Sequence, residues 1–135
     1  MTDQTSSAAQ ASTSRAAVIT GWVLTILPSL LFLFSAGAKF FGGKALEEGF
    51  AHLGVAQNLA VPLGILELSC VVLFLVPRTA VLGAILLAGY MGGAILTHLR
   101  IGEPVFMQVA IGVVVWLGIY LREPRLREIL PVRRV

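Results

Sequence analysis

The stretch LAVPLGILELSCVVLFLV, residues 59–76, decides how this chain folds. It is long enough to cross a bilayer as one helix, which takes about 20 apolar residues. Its one charged residue, Glu67, falls near the middle. A carboxylate at that depth costs about 2.5–3.5 kcal/mol on insertion scales, and it usually faces a bundle interior or a wet cavity with a partner. Pro62 is tolerated in the first turn, and Pro77-Arg78 ends the segment.

The rest of the chain agrees with a lipid solvent. Of 135 residues, 57% are hydrophobic and 13% charged, and mean hydropathy is +0.90. A soluble domain carries about 25% charged residues, so this chain lacks the polar surface to cover itself in water. Its length suits about four spans of ~20 residues with short connections and no second domain. The single cysteine, Cys70, excludes an internal disulfide or a CxxC redox pair.

Outward from residues 59–76, the other segments follow in order. Residues 1–15 are rich in Ser, Thr, Ala and Gln and read as a disordered tail. The first apolar segment runs from Ala16 to Ala38. Ala36-Gly37-Ala38 resembles a signal-peptidase site, but the segment exceeds the 7–15 residues of a signal core, so a retained helix with a kink at Pro28 is expected. Gly42-Gly43 breaks it. Ala45 to Leu53 places Leu46, Phe50 and Leu53 on one stripe, the pattern of a short interfacial helix. A third span is expected from Thr79 or Ala80 to Thr97 or His98, and a fourth from Val105 to Leu121. Residues 125–135 form a basic, partly amphipathic tail suited to anionic headgroups. The membrane domain is thus residues 16–124, an all-α, antiparallel four-helix bundle.

Basic residues orient it. Arg15, Arg78, Arg122, Arg125, Arg127, Arg133 and Arg134 fall on one side, Lys39, Lys44 and Arg100 on the other. The excess predicts both termini in the cytoplasm. This distribution, without any nucleic-acid motif, fits membrane headgroups rather than a nucleic-acid partner.

The topology then gives each polar residue a depth. Ser35 sits one turn before Lys39 at the outer end of the first span, and Glu67 lies about 11 Å below the outer start of the second. Tyr90, Ala94, Thr97 and His98 share a stripe on the third span, and Gln108 opens the fourth. All fall in the outer half; the inner half is expected to hold almost no polar groups. Two mechanisms fit. In one, Lys39 or His98 neutralises Glu67, and with Tyr90 and Gln108 the trio lines a pocket for a small polar or quinone-like head group. In the other, Glu67 is protonated and donates a hydrogen bond, and His98 passes protons outward.

Each residue also has a plain structural reading. Glu67 can be interhelical glue, Lys39 an interface anchor, and His98 a bond to late helix carbonyls. Gly89 and Gly93 match a small-xxx-small pattern, read first as close packing within the bundle and second as an oligomer contact. His52 and His98 with Glu47, Glu48 and Glu103 reproduce no metal-ligand spacing.

Several runs resemble the DoxX-like membrane proteins. These are Gly37-Ala38-Lys39-Phe40, Leu63-Gly64-Ile65-Leu66-Glu67-Leu68, Pro77-Arg78, the stretch from Gly89 to Arg100, and Arg122-Glu123-Pro124-Arg125 followed by Leu130-Pro131. The likeness covers about residues 16–134. It implies a four-helix membrane bundle with Lys39, Glu67 and His98 at the positions of the family's Lys, Glu and His. The wider DoxX/DoxD group is named after a subunit of a thiosulfate:quinone oxidoreductase, and some members accompany redox-stress systems. The resemblance therefore implies a multi-pass protein of the inner (plasma) membrane, accessory to a membrane redox process, with quinone as its candidate cofactor and an oxidoreductase as partner. With no cysteine pair and no haem or flavin motif, catalysis would depend on that partner. The alternative is a non-enzymatic membrane protein, either a permease for a small solute or protons or an assembly factor.

Overall fold

The structure, a computed structural model, describes residues 14–130; residues 1–13 of the expected tail, and Arg133 and Arg134, lie outside the described residues, while Ser14 and Arg15, also read as tail, cap and open the first helix. Every regular element among those described is helical. In chain order they are α1 (Arg15–Phe41), α2 (Lys44–Leu53), a 3-10 turn (Gln57–Leu59) running into α3 (Ala60–Leu75), α4 (Ala80–Leu99), α5 (Phe106–Arg122) and α6 (Pro124–Ile129). Three of them, α1, α3 with its leading turn, and α4, are long and apolar enough to cross a membrane, whereas α5 has 17 residues.

Helix ends follow local chemistry. The Ser14 hydroxyl accepts the Ala17 N–H at 3.1 Å and starts α1. Gly42 and Gly43, at φ 70° and 115°, stop it. The stop comes three residues later than the sequence suggests, so Lys39 is helical and stands one turn beyond Ser35 on the same face.

The four long helices close into a ring. α1 packs against α3 and α5, and α4 completes the circuit between them. Neighbours run antiparallel: Gly64 of α3 lies beside Lys39 and Phe40 of α1, while Gly21 of α1 lies against Arg122 of α5. The interior holds Phe32, Val71, Phe74, Leu87, Val115 and Ile119, all essentially buried. Large apolar side chains also face outward along every long helix, with Phe34 78% and Phe106 83% exposed. An apolar outer surface of this extent, on helices of this length, is that of a multi-pass membrane protein.

Without a hydrophobic drive between helices in lipid, backbone proximity carries the packing, and it is concentrated at three glycines. A Cβ on Gly83 would run into the Phe74 backbone, which pins α4 to α3. One on Gly118 would lie 3.1 Å from the Leu24 carbonyl oxygen, and one on Gly21 2.8 Å from the Arg122 nitrogen. Leu24 is four residues before Pro28, so its carbonyl lacks the usual helical donor. The bare Gly118 lets α5 press against that point. The close packing expected at Gly89 and Gly93 is absent, for nothing lies within 4 Å of their Cβ positions. α4 turns Gly83, Ala84, Leu87 and Met91 inward instead, and Gly89 and Gly93 sit outside that stripe.

Arginines tie the ends. Arg122 donates to the Phe74 carbonyl at 2.6 Å and lies 4.4 Å over the Trp22 ring, joining α5, α3 and α1. Arg127 in α6 turns back to the carbonyls of Tyr120 and Leu121 instead of reaching outward as a headgroup contact. The half of the ring expected to lack polar groups does hold the buried hydroxyls of Thr25 and Ser29. Both are spent on their own helix, donating to Gly21 O at 2.8 Å and Thr25 O at 2.7 Å.

Candidate functional site

The end of the ring that holds the C-terminal turns of α1 and α4 carries a cavity of about 730 Å³, here called the upper end. Below it the side chains of Val71, Phe74, Leu87, Val115 and Ile119 are fully packed. Above it lies α2, whose apolar stripe places Phe50 in the protein and Leu53 against the cavity. Arg100 at the end of α4 holds this roof by donating to Leu53 O at 2.6 Å.

One wall carries charge. Glu67 is 1% exposed, and Lys39 Nζ donates to its Oε2 at 2.8 Å. Ser35 completes the group: its hydroxyl accepts from Lys39 Nζ at 2.6 Å and donates to Glu67 Oε2 at 3.2 Å. Lys39 also reaches the Ser35 carbonyl at 3.3 Å. The late end of α1 makes this possible, because one helical turn stacks Ser35 under Lys39 and directs both at α3. Both bonds to the carboxylate fall on one oxygen. Tyr90 of α4 lines the same cavity as Glu67, and its ring stands edge-on to Phe32 at 6.3 Å between centroids.

The other residues singled out in the sequence are placed as follows. His98 and Thr97 line the cavity near the C-terminal end of α4. The Thr97 hydroxyl donates to Gly93 O at 2.8 Å. His98 Nδ1 donates to Ala94 O at 2.8 Å, which leaves its Nε2 3.8 Å from Glu103 Oε2. The carboxylate nearest His98 is therefore Glu103, while Glu67 is served by Lys39. Glu103 also meets His52 Nε2 at 2.6 Å through its other oxygen, so one acid links α2 to the α4 terminus. No group of His, Cys, Asp or Glu among the described residues is arranged to hold a metal ion.

Gln108 is not with this group. It lines a second, shallower groove between α4 and α5 with Gly92, Gly112 and Trp116, and its Oε1 is buried without a partner. Met107 and Ile111 are the α5 residues that face the charged cavity.

Three contributors escaped the sequence reading. Glu103 has no metal-ligand spacing to single it out, and its bridging of two histidines depends on a loop whose path the sequence does not give. Phe50 belongs to the apolar stripe of α2, and that stripe is the signal in the sequence for a roof. Cys70, 2% exposed, lines the same cavity as Glu67, one helical turn further along α3.

A family model for the DoxX-like family matches residues 23–120, a span that includes every residue of the cavity wall. No curated protein and no solved structure shows a significant match to the chain.

Proposed function

This chain belongs to the DoxX-like family, and from that premise we propose that it is an inner-membrane four-span bundle, both termini cytoplasmic, that binds a quinone-like head group in its outer half as an accessory to a membrane redox process. The observation that carries the reading is the buried Lys39–Glu67 pair in the wall of a roomy, mainly apolar cavity. A pair serving only as glue would be enclosed by side chains on all sides. Here the pair borders open space: Lys39 and, on the facing helix, Tyr90 line the cavity, and a bound acceptor oxygen would take the ammonium hydrogen now given to the Ser35 carbonyl at 3.3 Å. Small pockets with apolar walls and a few convergent polar groups are the usual form of ligand sites. A quinone ring presents acceptor oxygens at its two ends and a flat apolar body between them, which matches such a lining.

The permease alternative requires a path through the inner half. The packed Val71, Phe74, Leu87 and Ile119 layer, and the self-satisfied Thr25 and Ser29, support a closed-bottomed pocket over a channel. The basic residues on the side of both termini, Arg15, Arg78, Arg122, Arg125 and Arg127 among those described, support the orientation.

The test is quinone binding by the purified protein in nanodiscs, measured with a short-tailed ubiquinone analogue. Glu67→Gln and Lys39→Met should each weaken binding at least tenfold, and Gln108→Ala should not change it. Unchanged binding in both pair variants, with helicity intact, would leave the pair a structural contact only.

A further inference from the structure

We propose that this cavity is loaded sideways, from the hydrocarbon of the bilayer through the seam between α3 and α4 at Gly89 and Gly93, and that its ligand is an amphiphile with a polar head and a long apolar tail. The inference rests on the binding-pocket reading above and adds to it the entrance and the class of molecule that can use it.

The other two routes are obstructed. Toward the outer water the cavity is roofed by Phe50, only 8% exposed, and the roof is fastened by Arg100 to Leu53 O and by Glu103 to His52. Toward the inner side Phe74, Leu87 and Ile119 leave no gap. The seam between α3 and α4 is different along its length. At Gly83 the α4 backbone touches that of Phe74, so the seam is sealed there. Six and ten residues further along α4, Gly89 and Gly93 lie in the cavity lining with nothing within 4 Å of their Cβ positions. The rim opposite and beneath them is Leu66 of α3 and Leu86 of α4, which are 50% and 40% exposed and also line the cavity. Residues that belong at once to the cavity wall and to the lipid-facing surface mark where it opens; Leu31 of α1 and Met107 of α5, 48% and 69% exposed, also do so, but there a large side chain fills the margin, whereas at Gly89 and Gly93 none does.

The chemistry of the opening selects the ligand. Its rim is glycine and leucine, so a charged solute would shed its hydration at an apolar threshold, which is unfavourable. A molecule already dissolved in the acyl chains has no such cost. Its tail can stay in the seam over Gly89 and Gly93 while its head reaches Lys39, Ser35 and Glu67. The two glycines would then have a single role: a larger side chain at either position would fill the gap that the tail crosses.

The experiment uses the full chain in liposomes with a long-chain alkyl diazirine in the bilayer, and maps the photoadducts by mass spectrometry. In the wild type, adducts are expected on the cavity wall at Cys70 and Tyr90 as well as on lipid-facing Phe34. Gly93→Leu, and independently Gly89→Leu, should reduce cavity-wall adducts several-fold and leave Phe34 adducts unchanged. Gly92→Leu, on the α5 side of the same helix, should behave as wild type. An unlabelled cavity wall in the wild type, or undiminished labelling in both leucine variants, overturns the proposal. Ubiquinone added as competitor separates the two claims. If it fails to displace the diazirine while Gly93→Leu still closes the wall, the entrance stands and the quinone assignment falls. If it competes equally in wild type and Gly93→Leu, the assignment stands and the entrance falls.

Discussion

The Lys39–Glu67 pair lends itself to a double-mutant cycle. The ions are 2.8 Å apart, with side-chain exposures of 10% and 2%, so neither can turn to water when the other is removed. Breaking a buried pair from one side costs about 3–5 kcal/mol, because an uncompensated charge stays behind. The low end applies here, since Ser35 remains as a partner for whichever ion is left. Lys39→Met and Glu67→Gln should therefore each destabilise by about 3 kcal/mol, a hundredfold or more in the unfolding equilibrium. The double variant removes both charges and keeps the volume, so it should cost no more than one single, an interaction of about 3 kcal/mol. The assay is denaturation by SDS titration in bicelles, followed by helicity. A double variant costing the sum, about 6 kcal/mol, would refute the account, because the two side chains would then act independently.

Other consequences of the packing are open to direct measurement. Gly83→Ala should destabilise by about 1–3 kcal/mol or prevent insertion, because the added methyl meets the Phe74 backbone, which cannot swing aside; the same bicelle assay reads it. Gly92→Ala, whose Cβ meets nothing within 4 Å, should be neutral or stabilise by up to about 1 kcal/mol through helix propensity alone. Arg100→Ala removes the bond to Leu53 O, so amide hydrogen exchange across α2 should rise while that of α3 and α5 stays slow. Arg122→Ala removes the ties to Phe74 O and Trp22; a loss of about 1–3 kcal/mol is expected, with increased exchange at the C-terminal turn of α3.

Residue depth was legible in the sequence, and rotation about the helix axis was not. The hydropathic run 59–76 and its neighbours give segments close to the observed helices, and counting along them puts Ser35, Lys39, Glu67 and His98 at one end of the ring. Gln108 shows where such counting stops. It has the right depth, yet one residue is about 100° of turn, and Met107 faces the charged cavity while Gln108 faces the α4–α5 groove. The glycines teach the same lesson. Gly83, Gly89 and Gly93 look alike in the sequence; only the first meets a backbone, because spacing names a stripe without naming its neighbour. Glu103 depends on something a sequence pattern does not hold, the path of the loop from Gly102, at φ 77°, that brings it between histidines from two helices.

As the proposed fourth span, α5 is short. Its 17 residues rise about 25 Å, whereas the hydrocarbon layer is about 30 Å thick and α1 has 27 residues to spend on the same crossing. Lipid beside α5 must therefore thin, or the whole protein must tilt to shorten the distance on that flank, each at a fraction of a kcal/mol per ångström. A molecule with one thick flank and one thin flank sits most easily where the bilayer thins, with α5 on the thin side.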